Sequence, residues 1–295
     1  MTEQREQSPT VIDTQRRYIA GQLARQCSAD MVQINHVTGV MQNLYSLRLD
    51  QNGVALPVGK TELARLGVML YQTLYSGEPL KIVSATCPDY SYHQTQDGYV
   101  YDFQDVGDGE GLTGKTLLAH QRLFREALVS AGVPEEKIEY TMLVADVEAD
   151  DGDIRASMEI EESEFKARIG RTRDKLATHL ESPHRVGLLS SYVTSQDTEL
   201  AHRLLSDIKE QRLVSIALGR GDLYRRWFRR GQGVGVENFT MQRTREDVLK
   251  YIAFGCAARR QGAIVLESTA PEITSLYNVG NDLPIVPLVQ IKSKY

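Results

Sequence analysis

The chain has 295 residues, 41% of them hydrophobic and 25% charged, with a formal net charge of −5. That is ordinary globular composition, long enough for one large core or two modest ones, and it excludes a chain disordered throughout. No run approaches the 18 or so consecutive apolar residues of a membrane span, and three cysteines, Cys27, Cys87 and Cys256, offer neither a disulfide framework nor a paired-cysteine metal site.

The first ten residues, MTEQREQSPT, are polar and mixed in charge rather than a basic stretch leading into an apolar one, so a cytoplasmic protein is expected. Residues 1–30 read as an N-terminal tail and helix, and 31–295 as a single α/β domain. Val11 to Cys27 carries Ile12, Ile19 and Leu23 at helical spacing. Asn43 to Leu49 alternates imperfectly and predicts a strand, followed by an Asn52-Gly53 turn. Thr61 to Tyr75 predicts a helix capped by Thr61, with Gly77 just past its end.

From Leu80 the alternation becomes regular. Strands are predicted at Leu80 to Thr86, Ile138 to Val147, Arg185 to Ser190, Leu213 to Leu218, Ala263 to Ser268 and Ile285 to Ile291. Helices fall between them at Thr113 to Ala131, Glu161 to Leu180, Thr198 to Gln211, Arg220 to Arg230 and Arg245 to Arg260. Strands alternating with helices of a dozen residues imply right-handed crossovers and a mostly parallel sheet covered on both faces. The expected fold is therefore Rossmann-like and doubly wound. Two loops stand out, Pro88 to Gly111 and the glycine-rich Gly231 to Gly235.

Open α/β sheets bind ligands beyond the carboxyl ends of their strands. That rule nominates Thr86, Cys87, Asp89 and Tyr90; Asp146 and Glu148; Ser190, Ser191 and Tyr192; Gly219 and Arg220; and Glu267 and Ser268. Asp146 and Glu148 follow an apolar strand, and strand-end carboxylates are suited to hold Mg2+ against a diphosphate; a solvated acidic turn is the alternative, above all for Asp150 to Asp153. His93 shares the long loop with Asp89 and Tyr90 and is a candidate acid or base. The six histidines form no H-E-x-x-H pair, so zinc is not expected.

Two segments have the chemistry of phosphate recognition. Gly109 to Thr116 (GEGLTGKT) satisfies G-x-x-x-x-G-K-T, in which backbone amides, Lys115 and Thr116 would cradle phosphates; a kinase or NTPase is the corresponding activity, and a glycine-rich turn capping a helix is the alternative. Arg220 to Arg230 (RGDLYRRWFRR) sets five arginines, Arg220, Arg225, Arg226, Arg229 and Arg230, around Tyr224, Trp227 and Phe228, a composition suited to phosphates and stacked bases. From position 201 onward there are 15 Lys and Arg against 9 Asp and Glu, leaving 19 against 30 of the totals of 34 and 39 for the first 200 residues. A basic last third on an acidic body suits a phosphate-bearing small molecule or tRNA as partner. These features together predict a transferase acting on a phosphorylated, nucleotide-linked or tRNA-linked substrate, with a non-catalytic nucleic-acid-binding or protein-binding domain as the other class.

The order of elements and the basic, aromatic late region are similar to the topology of tRNA-dependent cyclodipeptide synthases, which accept aminoacyl groups from tRNA. That family's catalytic patterns are absent. Its Gly-x-Ser after the first strand falls on Leu44-Tyr45-Ser46, and its Tyr-x-x-x-Glu on a late helix falls on Tyr251 followed by Gly255. The likeness is one of topology, and no family is assigned from it.

Overall fold

A computed structural model describes residues 11–47, 49, 54–86, 90–95, 98–103, 112–146, 155, 160–216, 236–267, 276–279 and 282–287. In chain order the first elements are helices α1 (Val11–Cys27), α2 (Met31–Ser46) and α3 (Lys60–Tyr71), then strand β1 (Leu80–Thr86). A hairpin of β2 (Tyr90–Thr95) and β3 (Gly98–Phe103) precedes α4 (Leu112–Ala131) and β4 (Ile138–Val144). There follow α5 (Glu162–Ala177), β5 (Arg185–Leu188), the one-turn α6 (Leu189–Tyr192) and α7 (Ser195–Ser206). The helix over 210–216 is α8, and α9 (Val236–Gln261), β6 (Ala263–Glu267) and β7 (Ile285–Pro287) complete the set.

The main sheet has five strands in the order β5-β4-β1-β6-β7, and every pair in it is parallel. This is the expected doubly wound, Rossmann-like α/β arrangement. Leu80 pairs with Ile138 and Thr86 with Val144, Lys81 with Ala263, Thr141 with Arg185, and Val265 with Ile285.

Strand periodicity of two sorts the side chains onto two faces. On the first face Ile82, Tyr140, Met142, Val144, Ile264 and Leu266 join one core with buried residues of α1 to α5, among them Ile19, Leu44, Leu66, Phe124 and Phe165. Tyr140 is fully buried there, and its hydroxyl is bonded to that of Ser84, so the core holds no orphaned phenol at this point. On the second face Val83, Leu143 and Val265 pack with Phe254 and Ala258 of α9, with Leu189 and with Tyr277. A third cluster joins Ala201, Leu213 and Ile216 to Val248, Ile252 and Cys256 of α9. Helix α9 thus lies between the sheet and an outer layer of α7 and α8.

Four expectations need correction. Asn43 to Ser46 is the last turn of α2 rather than the start of a strand. Asp30 accepts from Gln33 N at 2.9 Å and Gln33 Oε1 accepts from Asp30 N at 3.0 Å, a capping box that nucleates a helix burying Ile34, Val37, Met41 and Leu44. Leu213 belongs to α8, with Leu213 and Ile216 one turn apart on a buried helical stripe, so the strand predicted from Leu213 to Leu218 is replaced over its described part. Pro88 to Gly111 contains the β2–β3 hairpin, in which Tyr90 pairs with Phe103 and Thr95 with Gly98; Tyr, Val, Phe and Thr favour strands enough to outweigh the polar residues between them. Gly59, not Thr61, caps α3, its N–H donating to Glu62 Oε2 at 3.3 Å.

Most other elements agree with expectation to within a few residues, but α9 begins at Val236 rather than Arg245, and α7 ends at Ser206 rather than Gln211. Helix α4 ends at Gly132, whose φ of 111° is open to glycine and strained for other residues. Among the described residues no helix is long and apolar enough to cross a membrane. The Asn52-Gly53 turn, the segment Arg220 to Arg230 and the loop Gly231 to Gly235 lie outside the described residues.

Candidate functional site

From β1 the chain steps outward to β4 and β5, then returns to the opposite side of β1 with β6 and β7. The switch point therefore lies between the carboxyl ends of β1 and β6, where doubly wound sheets open a crevice for ligands. Two polar residues end these strands. Thr86 closes β1 at 2% exposure, and Glu267 closes β6 at 0%. Glu267 falls on the second face by strand alternation, in line with Val265 and Ala263, beside the aromatic layer of Phe254 and Tyr277. The rings of that layer meet edge to face, Phe254 on Tyr277 at 5.1 Å and Tyr251 on Tyr277 at 5.7 Å between centroids.

Asp146 occupies the strand-end position expected of it. Ala145 N–H donates to Thr86 O at 2.8 Å, extending the β1–β4 ladder by one residue, and Asp146 is next. Its carboxylate then turns toward β5. Oδ1 accepts from the Ser190 backbone N–H at 2.8 Å, and Oδ2 accepts from the Ser190 hydroxyl. Both carboxylate oxygens are thus engaged in holding the first turn of α6 against the end of β4. Of the predicted group at this edge the structure brings together Asp146, Thr86 and Ser190. Ser191 donates instead to Leu188 O at 2.8 Å.

Tyr192, the last residue of α6, turns onto the second face, its ring 6.2 Å from that of Phe254. Burial pushes its phenol pKa up, and its hydroxyl makes no hydrogen bond among the described residues. Beneath it Asp197, at 3% exposure, receives Arg260 Nε at 3.0 Å and Nη2 at 2.8 Å, and accepts from Thr194 N at 2.8 Å. Burial raises the Asp197 pKa, but Arg260 and Thr194 together outweigh it and hold the carboxyl below its usual range.

Tyr90 and His93 lie in β2, in the two-stranded sheet rather than in the parallel one. Lys115 and Thr116 lie in the first turns of α4. Because α4 carries the chain from β1 to the parallel β4, it runs against the strands and begins at their carboxyl-end side. The strand before GEGLTGKT is β3 of the hairpin, so this motif does not issue directly from the parallel sheet as a P-loop does. Cys87, Asp89, Glu148, Ser268, Arg220, Arg225, Arg226 and Arg229 lie outside the described residues. Among the described residues no group of three or more His, Cys, Asp or Glu is placed to hold a metal ion.

Sequence reasoning missed the role of Gly255. A Cβ there would stand 2.7 Å from the Tyr277 carbonyl carbon and 2.8 Å from its Cα, with the carbonyl oxygen nearer still. Where the cyclodipeptide synthase pattern has a glutamate, this helix has the one residue that admits the Tyr277 backbone. Leu44-Tyr45-Ser46 in turn lies within α2, so its alignment with a strand-end nucleophile falls away.

The class of protein is defined by its sheet as doubly wound α/β with a carboxylate at the switch point. No family model and no curated protein matches the chain.

Proposed function

We propose that this chain is a group-transfer enzyme, taking its donor on a phosphate-bearing carrier, a nucleotide or tRNA, at the carboxyl ends of β1, β4 and β6. The observation that carries the reading is the position of Glu267. Removing a carboxylate from water costs of order several kcal/mol, and Glu267 bears that cost at the fold's customary ligand crevice. In this reading its carboxylate takes the proton of the attacking acceptor as the transferred group leaves its carrier. Thr86 ends the neighbouring β1, and Asp146 holds Ser190 at the end of β4. Asp89, Tyr90 and His93 follow β1 in the sequence and Glu148 follows β4, and all four belong to the same proposal. Lys115, Thr116, Arg220, Arg225, Arg226 and Arg229 supply the positive charge a phosphate requires, and Mg2+ held by Asp146 and Glu148 is the metal that a diphosphate carrier would bring into play.

The test is a thermal-shift panel of nucleotides and bulk tRNA, with and without Mg2+, on the whole chain. A ligand at 100 times its Kd stabilises by about 2.7 kcal/mol, readily seen as a rise in Tm. No shift with any member would overturn the phosphate-carrier reading. With a ligand in hand, Glu267→Gln should keep the shift and lose the transfer; unaltered transfer would remove Glu267 from the chemistry.

A further inference from the structure

The second face of the sheet is covered unevenly. Helix α9 and Tyr277 shield β6 and the carboxyl half of β1, but the amino half of β1 and the lengths of β4 and β5 beside it floor a trough of about 350 Å³, closed at the carboxyl end of β5 by Ser191 and Tyr192. Its residues follow from strand alternation. Lys81 and Val83 of β1, Glu139, Thr141 and Leu143 of β4, and Arg185 and Gly187 of β5 fall on one face. The floor is apolar, with Val83, Leu143 and Ala263 all buried. The rim is polar and carries two cations to one carboxylate. Glu139 pairs in register with Lys81, which places opposite charges on neighbouring strands.

That leaves Arg185. Its Nε lies 3.3 Å from Thr141 Oγ1, and its guanidinium has no carboxylate within ion-pair distance among the described residues. Two further features mark the same spot. Gly187 stands in β5 two residues on, and a Cβ there would meet only Leu143 Cδ2, at 3.4 Å, so the strand is open where a side chain would normally fill it. Tyr192 lines the trough, and its hydroxyl, sealed from solvent, has no hydrogen-bond partner among the described residues.

We propose that this trough is a second ligand site, on the β4–β5 side of the second face and away from the β1–β6 switch point, for a small organic anion with an apolar body. The oxyanion, a carboxylate or a phosphate monoester, sits on the Arg185 guanidinium, whose planar fork matches two oxygens at once. The body lies over Gly187 and Leu143 on the apolar floor. Neither part of this depends on the chemistry assigned to Glu267.

The probes are phenyl phosphate and benzoate, titrated into the whole chain by calorimetry, with benzamide as the uncharged control. At least one of the two anions should bind and benzamide should not; which anion binds more tightly separates the two sources of the oxyanion. Arg185→Gln, at an exposed position, should weaken that binding by at least about tenfold with Tm unchanged. Gly187→Val should block it by filling the trough, and valine suits a strand. Glu267→Gln should leave it untouched, which separates this site from the switch-point crevice. Failure of both anions to bind at about 10 mM, a Kd weaker than any specific site of this size warrants, would overturn the proposal. So would an Arg185→Gln variant that binds as the parent does.

Discussion

Replacing Gly255 by alanine sets two well-understood effects against each other. Position 255 lies in the interior of α9, where alanine is favoured over glycine by about 1 kcal/mol on helix propensity alone. Propensity therefore predicts a more stable protein. The packing predicts the reverse. The added methyl would lie 2.7 Å and 2.8 Å from the Tyr277 carbonyl carbon and Cα, so the two backbones would have to part by roughly 1 Å to reach ordinary contact. Neither side yields easily. Tyr277 is wedged by Phe254 and Tyr251, and the next residue, Asn278, accepts from Leu283 N at 2.9 Å and donates to Glu62 of α3. Overpacking with side chains able to adjust costs 1–3 kcal/mol, and a clash of backbone on backbone belongs at or above the top of that range. After subtracting the helical gain, Gly255→Ala should destabilise by at least about 2 kcal/mol. Urea unfolding monitored by circular dichroism measures this as a lowered midpoint with unchanged slope. A variant as stable as the parent, or more stable, would refute the close approach of Tyr277 to α9, and with it the described packing of the second face.

Two other substitutions probe the framework of the site. Asp197→Asn removes the buried charge that Arg260 grips while leaving the amide able to cap α7; breaking such a pair costs about 3–5 kcal/mol when fully buried, and the partial exposure of Arg260 brings the expected loss to roughly 2–3 kcal/mol, read from the same urea titration. His184 receives the Tyr140 backbone N–H at Nδ1, 3.1 Å, and faces Arg125 Nη1 at Nε2, 3.1 Å. Nδ1 accepts from Tyr140 only while it is unprotonated, so a second ring proton would cost that bond and face the Arg125 cation. Burial, then Arg125, holds the His184 pKa below its ordinary value against the opposing pull of Glu135 and Glu139. The unfolded chain consequently binds the proton more readily, and stability should fall as pH drops below about 6.5 and level off below the depressed folded value. Unfolding free energies between pH 5 and 7.5 for the parent and His184→Gln check this, the variant showing the flatter profile.

The parallel sheet was legible because its strands are short β-branched runs set between helices of a dozen residues, and Leu80–Thr86 matches its predicted bounds at both ends. Asp146 was legible for the same reason, since a carboxylate after an apolar strand must emerge at the carboxyl edge. Its partner was not, because Ser190 lies 44 residues away and only the β4–β5 register brings the two together. Helix α2 was misread from its second half, where Leu44 to Leu49 alternates by chance, while the decisive signal was the Asp30–Gln33 box at its start. The trough was within reach of the sequence. LKIVSAT, IEYTMLV and RVGL each place a polar or small residue at alternate positions near their amino ends, a pattern at odds with strands buried on both faces. Gly255 was not, because nothing local distinguishes a glycine that admits a distant backbone from one that merely weakens a helix.

The uneven cover on the second face also bears on how the sheet ends. A parallel sheet left open on one side presents its outermost strand to any other extended chain, and unpaired edges of this kind invite association. Strand β5 is only four residues long, opens with the exposed Arg185 and contains Gly187, so a chain docking along it would find few ladder positions and a guanidinium at the first. At the other margin β7 spans three residues and closes with Pro287, which has no N–H to offer. Both margins of the described sheet are thus poor templates, and the same arginine that would seat an anion on the face guards the strand's flank against its own kind.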